Sequence, residues 1–300
     1  MKSFDYGGTG SPLHFLHANG YPPECYTPLL ELLKTEYRVF GMRLRPLWDN
    51  SNPEEIQNWH PFSDDLLHFL TERMERSDRS RSADRESFDH SQDKPDPVIG
   101  VGHSIGATVT LRAALHDPGK FHALIFIDPV LFVPSFMLRW HFVRLLGLGE
   151  IFHPLIKGAK KRRRTFDDLE TVFHGYRKRN VFRYMDDENL HVYIEGITKP
   201  SADGKYELTF SPEWEVQIYR TGMHDMDIWR GLPKLEVPTL IIRGMETDTF
   251  LESAAKLVRQ KQPKVRIEAL EKSTHLLPLE HPKEVFDIMH SFSQETLKVS

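Results

Sequence analysis

The chain has 300 residues, of which 39% are hydrophobic and 27% are charged, and its formal net charge is −4. This composition is ordinary for a globular protein and excludes a strongly basic nucleic-acid binder, so no nucleic-acid partner is expected. No run of about 18 apolar residues occurs, so no membrane span is predicted. The N-terminus lacks a secretory signal pattern and the single cysteine, Cys25, allows no internal disulfide, which favours a cytoplasmic protein.

Short apolar runs alternate along the chain with stretches of helical periodicity. This pattern predicts an α/β fold with a mostly parallel sheet flanked by helices. Strands are expected at residues 13–17, 37–41, 97–102, 121–127, 238–243 and 265–270, and helices at 26–35, 53–74, 105–116, 251–262 and 282–297. Only Phe4 to Thr9 precedes the first convincing strand, so we expect a core of about six strands with room for an extra short edge.

Two segments interrupt the alternation. Residues 73–96 are nearly all charged residues and serine, so they cannot bury enough apolar surface to offset their ordering entropy, and a flexible charged insert is predicted. Residues 129–235 are rich in aromatic and basic residues and are expected to form a mainly helical cap on a core made of 1–128 and 236–300. In this cap the run Lys160–Arg164 is interpreted as a solvated helix face, with nuclear localisation or an anionic partner as the alternative.

The pentapeptide Gly102-His103-Ser104-Ile105-Gly106 matches the pattern G-x-S-x-G. It follows a predicted strand directly and opens a predicted helix, which is the context of a sharp turn that lifts a serine hydroxyl above a sheet. Glycines are expected on both sides because a Cβ at either position would clash across the turn. The pattern therefore predicts Ser104 as a nucleophile, and the alternative is a serine N-cap in an ordinary turn.

A serine hydroxyl needs a base within hydrogen-bond reach and an acid that orients the base. His275 follows the last predicted strand and is the expected base, with His281 as the alternative. Asp248 follows the strand PTLIIR and is the expected acid. Glu246 in the same loop and Asp128, after the strand FHALIFI, stay open as alternative acids. Each of these loops lies at the carboxyl end of a strand, where α/β folds build their sites.

A tetrahedral intermediate also needs two preorganised N–H donors for its oxyanion. The amide of Ile105, directly after the nucleophile, is the first expected donor. The second should come from the loop after the first strand, where the sequence reads His17-Ala18-Asn19-Gly20. We assign it to the Asn19 amide, with Ala18 as the alternative, and we expect the His17 side chain to brace this loop.

Taken together, the motifs HANG, GHSIG, GMETD and STH resemble the α/β-hydrolase superfamily, in the capped branch that includes esterases, lipases, epoxide hydrolases and haloalkane dehalogenases. Three departures from the family pattern stand out. The oxyanion loop carries Ala18 where glycine is commoner, the acid loop is one residue longer than G-x-x-D, and the first strands of the family look absent or vestigial. Epoxide hydrolases and dehalogenases carry an aspartate at the elbow, so Ser104 argues for acyl transfer.

The resemblance implies a serine hydrolase that cleaves a small-molecule ester or related acyl compound through an acyl-enzyme, without a metal or cofactor. Activities that share the same three residues stay open as alternatives: carbon–carbon hydrolase, lyase and cofactor-free haloperoxidase. A non-catalytic binding protein on the same fold is the remaining alternative. Aromatic residues of the cap are expected to line a hydrophobic substrate pocket. The candidate pocket residues are Trp48, His103 and Trp140.

Overall fold

The computed structural model describes residues 1–83 and 96–297. The strands are β1 Ser3–Gly7, β2 Pro12–Leu16, β3 Arg38–Met42, β4 Val98–His103, β5 Phe121–Ile127, β6 Thr165–Phe166, β7 Thr198–Pro200, β8 Tyr206–Leu208, β9 Thr239–Gly244 and β10 Arg266–Leu270. The helices are α1 Thr27–Leu33, α2 His60–Ala83, α3 Ile105–His116, α4 Pro134–Leu145, α5 Gly149–Phe152, α6 Pro154–Lys160, α7 Leu169–Arg177, α8 Asp187–Ile197, α9 Pro212–Thr221, α10 Met226–Gly231, α11 Glu252–Lys261, α12 Leu277–Glu280 and α13 Pro282–Leu297.

Seven strands form the central sheet in the order β1-β3-β2-β4-β5-β9-β10. β1 pairs antiparallel with β3, whereas the other neighbours in this sheet run parallel. The α/β fold class predicted from the sequence is confirmed, and β1 is the extra edge strand. β4 and β9 are buried at every residue because helices cover both faces of the sheet, which explains their continuous apolar sequences.

The chain order reverses between β2 and β4. From β2 the chain crosses to β3 on one side of it, and it returns to form β4 on the other side. In open parallel sheets, such a switch point leaves a crevice at the carboxyl ends of the two strands. The loop that follows β2 and the turn that follows β4 therefore face the same crevice.

The segment between β5 and β9 contains α4 to α10 and a second, three-stranded sheet in the order β6-β8-β7. Sequence patterning predicted a mainly helical segment here and missed the small sheet. Strands of two or three residues are too short to leave a readable alternation of apolar and polar residues.

Three sequence expectations differ from the structure. The helix predicted over 53–74 is a short 3-10 turn, Pro53–Glu55, followed by α2, which extends to Ala83 and so covers the first part of the predicted flexible insert. The rest of that insert, residues 84–95, lies outside the described residues. The basic run at 160–164 is also not a helix face, since α6 ends at Lys160 and the following four residues are non-helical.

Candidate active site

Ser104 occupies the turn between β4 and α3 in a strained backbone conformation, with φ 57° and ψ −122°. L-residues rarely adopt a positive φ, and such residues cluster at functional sites. A Cβ at Gly102 would lie 2.4 Å from the backbone of Gly106, as the clash argument predicted. A Cβ at Gly106 would instead lie 2.2 Å from the carbonyl oxygen of Leu16, so this glycine is needed because α3 packs directly on the end of β2.

His275 joins Ser104 to a carboxylate. The Oγ of Ser104 lies 2.9 Å from Nε2 of His275, and Nδ1 of the same ring lies 2.6 Å from Oδ2 of Asp128. A carboxylate only accepts, so Nδ1 carries the ring proton and Nε2 is left as the acceptor for the serine hydroxyl. The three side chains come from the loops after β4, β5 and β10, and they form one continuous hydrogen-bonded chain.

Asp128 is held rigidly for this contact. Its side chain is fully buried, its Oδ1 accepts the backbone N–H of Gly244 at 3.2 Å, and its Oδ2 also accepts the hydroxyl of Thr247. Its own backbone N–H donates to the carbonyl of Ile242 at 2.8 Å. The end of β9 therefore supplies the groups that position this carboxylate, although it does not supply the carboxylate itself.

The acid preferred from the sequence, Asp248, is not hydrogen-bonded to His275. Its side chain is exposed and accepts a hydrogen bond from the hydroxyl of Thr249 at 3.1 Å. The alternative Glu246 is also turned away, because it accepts hydrogen bonds from Arg183 and Tyr184. The longer loop after β9 leaves both acids exposed, and Asp128 is the carboxylate that contacts the His275 ring.

The alternative base, His281, is engaged elsewhere. Its Nε2 lies 2.9 Å from the carbonyl oxygen of Lys272, and its Nδ1 lies 3.8 Å from Glu284. It forms no hydrogen bond with Ser104.

The electrostatic surroundings of His275 favour its protonated form. Burial is the largest single influence and lowers the pKa of this imidazole, whereas the hydrogen bond and the negative charge of Asp128 raise it. The charges of Asp248 and Glu280 act in the same direction as Asp128, so the pKa of His275 is raised above its usual value of about 6.5. A positive charge that forms on this ring during a reaction is therefore stabilised by its environment.

The backbone N–H groups of Ile105 and Asn19, the expected oxyanion donors, have no hydrogen-bond acceptor among the described residues. Ile105 is the first residue of α3, where the helix leaves its N–H groups unpaired. The alternative donor Ala18 is committed, because its N–H donates to the hydroxyl of Tyr26 at 3.2 Å. Of the two alternatives, the structure leaves Asn19 free to meet an oxyanion.

The loop that carries Asn19 is braced as expected by His17. Nε2 of His17 accepts the N–H of Leu44 at 3.0 Å, so the ring proton is on Nδ1, which donates to the carbonyl of Ala18 at 2.9 Å. Burial lowers the pKa of His17 to about 4, so this ring is neutral.

His103, expected in the substrate pocket, is instead fully buried and acts as a bridge. Its Nε2 donates to the carbonyl of His275 at 2.8 Å, which leaves Nδ1 to accept the hydroxyl proton of Tyr26 at 2.7 Å. Since Tyr26 also accepts the N–H of Ala18, one chain of hydrogen bonds links the loop after β2 to the backbone of His275. Burial, reinforced by the nearby His275 charge, lowers the pKa of His103 well below its usual value.

The loop before His275 is fixed by a second residue that the sequence reasoning missed. Glu280 is buried and accepts both the backbone N–H and the hydroxyl of Thr274 at 2.7 Å. Neither Glu280 nor Tyr26 carries a local sequence signal for its role, because each depends on a partner brought close by the fold.

A cavity of about 530 Å³ lies in the β5–β9 segment next to the loop after β2. Tyr21 reaches it, but Ser104 and His275 do not line it. The aromatic residues around it are Tyr21, Phe166, Tyr176, Phe182, Tyr193 and Tyr219. Neither Trp48 nor Trp140 contributes to its wall: Trp48 donates to the carbonyl of Arg43, and Trp140 packs edge-on against His153.

Residues 1–83 and 96–297 contain no group of three or more His, Cys, Asp or Glu side chains placed to hold a metal ion. No helix in this part of the chain has the length and apolarity to cross a membrane.

Comparison with known proteins points in one direction. The sequence profile described as the Alpha/beta hydrolase family matches residues 15–288. A hydrolase named YugF, without an assigned activity, from Bacillus subtilis (strain 168) is 24% identical over 196 residues, 65% of this chain and 64% of YugF. The type I acyl-CoA thioesterase mpaH from Penicillium roqueforti (strain FM164) is 30% identical over 120 residues, 38% of this chain but only 25% of mpaH.

Among solved structures, E-2-(acetamidomethylene)succinate hydrolase superposes with a TM-score of 0.72. The match covers 97% of this chain and 94% of that one at 17% sequence identity. At this identity the likeness bears on the fold alone.

Proposed function

Because the chain belongs to the alpha/beta hydrolase family, we propose that it is a serine hydrolase that cleaves ester or thioester bonds through an acyl-enzyme on Ser104. The single observation that carries the proposal is the continuous chain from Ser104 Oγ through His275 to Asp128. His275 is the general base and Asp128 is the acid that orients it, in the place first assigned to Asp248.

The reaction begins when Ser104 Oγ attacks the substrate carbonyl carbon and its proton passes to Nε2 of His275. Asp128 keeps the second ring proton on Nδ1 and stabilises the imidazolium that results. The carbonyl oxygen becomes an oxyanion and accepts hydrogen bonds from the N–H groups of Asn19 and Ile105. The partial positive charge at the N-terminus of α3 supports the same negative charge.

When the tetrahedral intermediate collapses, the bond from the carbonyl carbon to the leaving group breaks and His275 returns its proton to that group. Water then gives a proton to His275 and attacks the acyl carbon. The second collapse releases the acid and regenerates Ser104 with its proton. Every proton in this cycle moves through Nε2 of one ring, so its tautomer and orientation decide the rate.

The β5–β9 segment acts as a cap that selects the substrate. The cavity supports a substrate with an extended group beyond the reacting carbonyl. Tyr21 lines this cavity and follows the proposed oxyanion donor Asn19 by two residues. The 30% identity to an acyl-CoA thioesterase, over 120 residues, supports the inclusion of thioesters among the substrates.

The test is labelling of the intact protein with a fluorophosphonate probe, followed by hydrolysis of p-nitrophenyl esters and acyl thioesters of graded chain length. Wild type should be labelled and Ser104→Ala should not, and the same variant should lose turnover. Equal labelling of both proteins, or turnover that survives in Ser104→Ala, would contradict the proposal. Ser273→Ala is the matched control, since the hydroxyl of this buried serine donates to the carbonyl of Leu270 and forms no hydrogen bond with His275.

A further inference from the structure

The charges of the chain are distributed very unevenly. Residues 134–164, which we call the docking face, contain eight Lys and Arg residues and one acid, Glu150, and so carry a net charge of +7. The whole chain has a net charge of −4, so the remaining residues carry −11. A local field of one sign on an otherwise acidic protein indicates a partner of the opposite sign.

The same face carries most of the exposed large hydrophobic residues. Eight of the thirteen large hydrophobic residues that are exposed in the described part of the chain lie in it: Phe136, Leu138, Phe142, Leu145, Leu146, Ile151, Phe152 and Leu155. Leu145 and Leu146 are 68% and 74% exposed. Single exposed apolar residues are normal, whereas a group of this size marks a binding surface.

These residues are arranged as one surface. Leu138, Phe142 and Leu145 follow helical spacing and form one exposed stripe on α4, which Leu146 continues at the C-cap, while Met137 is buried. α4 contacts α5 and α5 contacts α6, so the apolar residues of the three helices are neighbours.

Some basic residues of the docking face have no carboxylate partner in the described chain. Arg139, Lys157 and Lys161 are exposed and form no ion pair with the described residues. Other cations of the face are partly neutralised, for example Lys160 by Glu150 and Arg162 by Glu215. If the three acids that pair with the face from elsewhere (Asp167, Glu213 and Glu215) are counted, a net charge of +4 remains.

We propose that the docking face binds peripherally to the surface of an anionic lipid bilayer. An apolar stripe flanked by Lys and Arg is the arrangement that lies in the plane of a membrane interface, with the apolar side chains among the acyl chains and the cations at the headgroups. The binding is non-covalent and does not depend on the proposed hydrolysis.

Charge argues against a second copy of the chain as the occupant. A two-fold dimer would bring the same face of both copies together, so one +7 surface would meet another. Like charges placed opposite each other disfavour such an interface, whereas an anionic bilayer neutralises all of them at once.

The experiment is co-flotation of the full chain with phosphatidylcholine vesicles, with or without roughly 30% phosphatidylserine, a content that gives the surface a negative potential. We expect the protein to float with the anionic vesicles and not with the neutral ones, and to be released at high salt. Ser104→Ala should float like wild type, so failure of this inference and failure of the proposed chemistry are distinguishable.

Two pairs of variants separate the apolar and charged contributions. Leu146→Gln should weaken partition into the vesicles, and Leu251→Gln, also at an exposed leucine but outside the face, should not. The double variant K157Q/K161Q should lower the partition coefficient by roughly tenfold or more. K256Q/K264Q removes the same charge from exposed positions elsewhere and should have little effect.

The inference is overturned if the protein floats with neither kind of vesicle, or if it floats equally with both. It is also overturned if sedimentation velocity shows a concentration-dependent dimer that Leu146→Gln abolishes, since the face would then be covered by a second copy.

Discussion

The carboxylate of Asp128 lies 2.6 Å from Nδ1 of His275, although 147 positions separate the two residues in the chain. The contact exists because β5 and β10 lie on the same side of β4 in the sheet, on either side of β9. The loop after β5 reaches across the end of β9 and takes the place beside the imidazole.

The first prediction concerns the choice of acid. Asp128→Asn should lower kcat by about 10³- to 10⁴-fold, because an amide can donate to Nδ1 and stabilise the wrong tautomer of His275. The matched variant Asp248→Asn should lower kcat by less than about tenfold, since its contribution is only a through-space charge. Steady-state hydrolysis of a p-nitrophenyl ester measures both, and a larger loss in Asp248→Asn would refute the assignment.

The second prediction is a pH profile. His275 must be unprotonated to accept the serine proton, and its pKa is raised. Activity is therefore lost as the pH falls through a midpoint above about 6.5. In Asp128→Asn the midpoint should move to lower pH, and the rate of fluorophosphonate labelling as a function of pH measures it even where turnover is weak. An unshifted midpoint in that variant would show that Asp128 does not control the ring.

The third prediction tests the chain from Ala18 through Tyr26 to His103. Tyr26→Phe removes the hydroxyl that both neighbours use, so it should lower kcat about tenfold and the free energy of unfolding by about 1–3 kcal/mol. Tyr37→Phe is the control, because its buried hydroxyl bonds His290 away from the site. It should lower stability with kcat unchanged.

If Tyr26→Phe and Tyr37→Phe reduce stability equally and neither changes kcat, the chain of hydrogen bonds has a structural role only. A fall in kcat at constant KM in Tyr26→Phe would instead support a role of this chain in fixing the relative positions of the oxyanion loop and His275.

The fourth prediction concerns stability in acid. Burial lowers the pKa of His14 to about 3 and that of His17 to about 4, and it also lowers the pKa of His103 well below its usual range. Below about pH 6.5 these three histidines become protonated in the unfolded chain but stay neutral in the folded protein. The free energy of unfolding therefore falls as the pH falls. Each ring contributes a slope of up to about 1.4 kcal/mol per pH unit between pH 6.5 and its folded pKa.

Urea unfolding between pH 7 and pH 5 measures this slope. His275 acts in the opposite sense, because its raised pKa adds stability below about pH 6.5 that is lost as the pH rises through the folded value. Three rings against one leave a net loss of stability in acid, and a free energy of unfolding that stays constant or rises toward pH 5 would contradict it.

The sequence was sufficient to predict those strands, turns and site residues that carry strong local signals. The strands around Ser104 carry long apolar runs, and the elbow needs glycines at 102 and 106, so pattern alone located the turn and the sheet. His275 was chosen from sixteen histidines because it follows the last strand.

The acid could not be chosen in the same way. Asp128 and Asp248 both follow buried strands, and the difference between them arises from the direction in which each loop leaves the sheet. That direction is set by contacts distant in the chain, such as the Gly244 N–H that fixes Asp128 and the Arg183 side chain that holds Glu246 outward. Tyr26 was missed, and His103 was expected in the wrong role, because the roles of both depend on partners far away in sequence.

The tight seating of Gly106 against Leu16 has a consequence for how this protein can diversify. With no room for even a methyl group at that contact, the serine turn and the neighbouring amide donors move as one body. Changes of specificity are then expected to come from the segment between β5 and β9. A mutagenesis library aimed at new substrates should therefore vary residues of the β5–β9 segment and keep Gly106 unchanged.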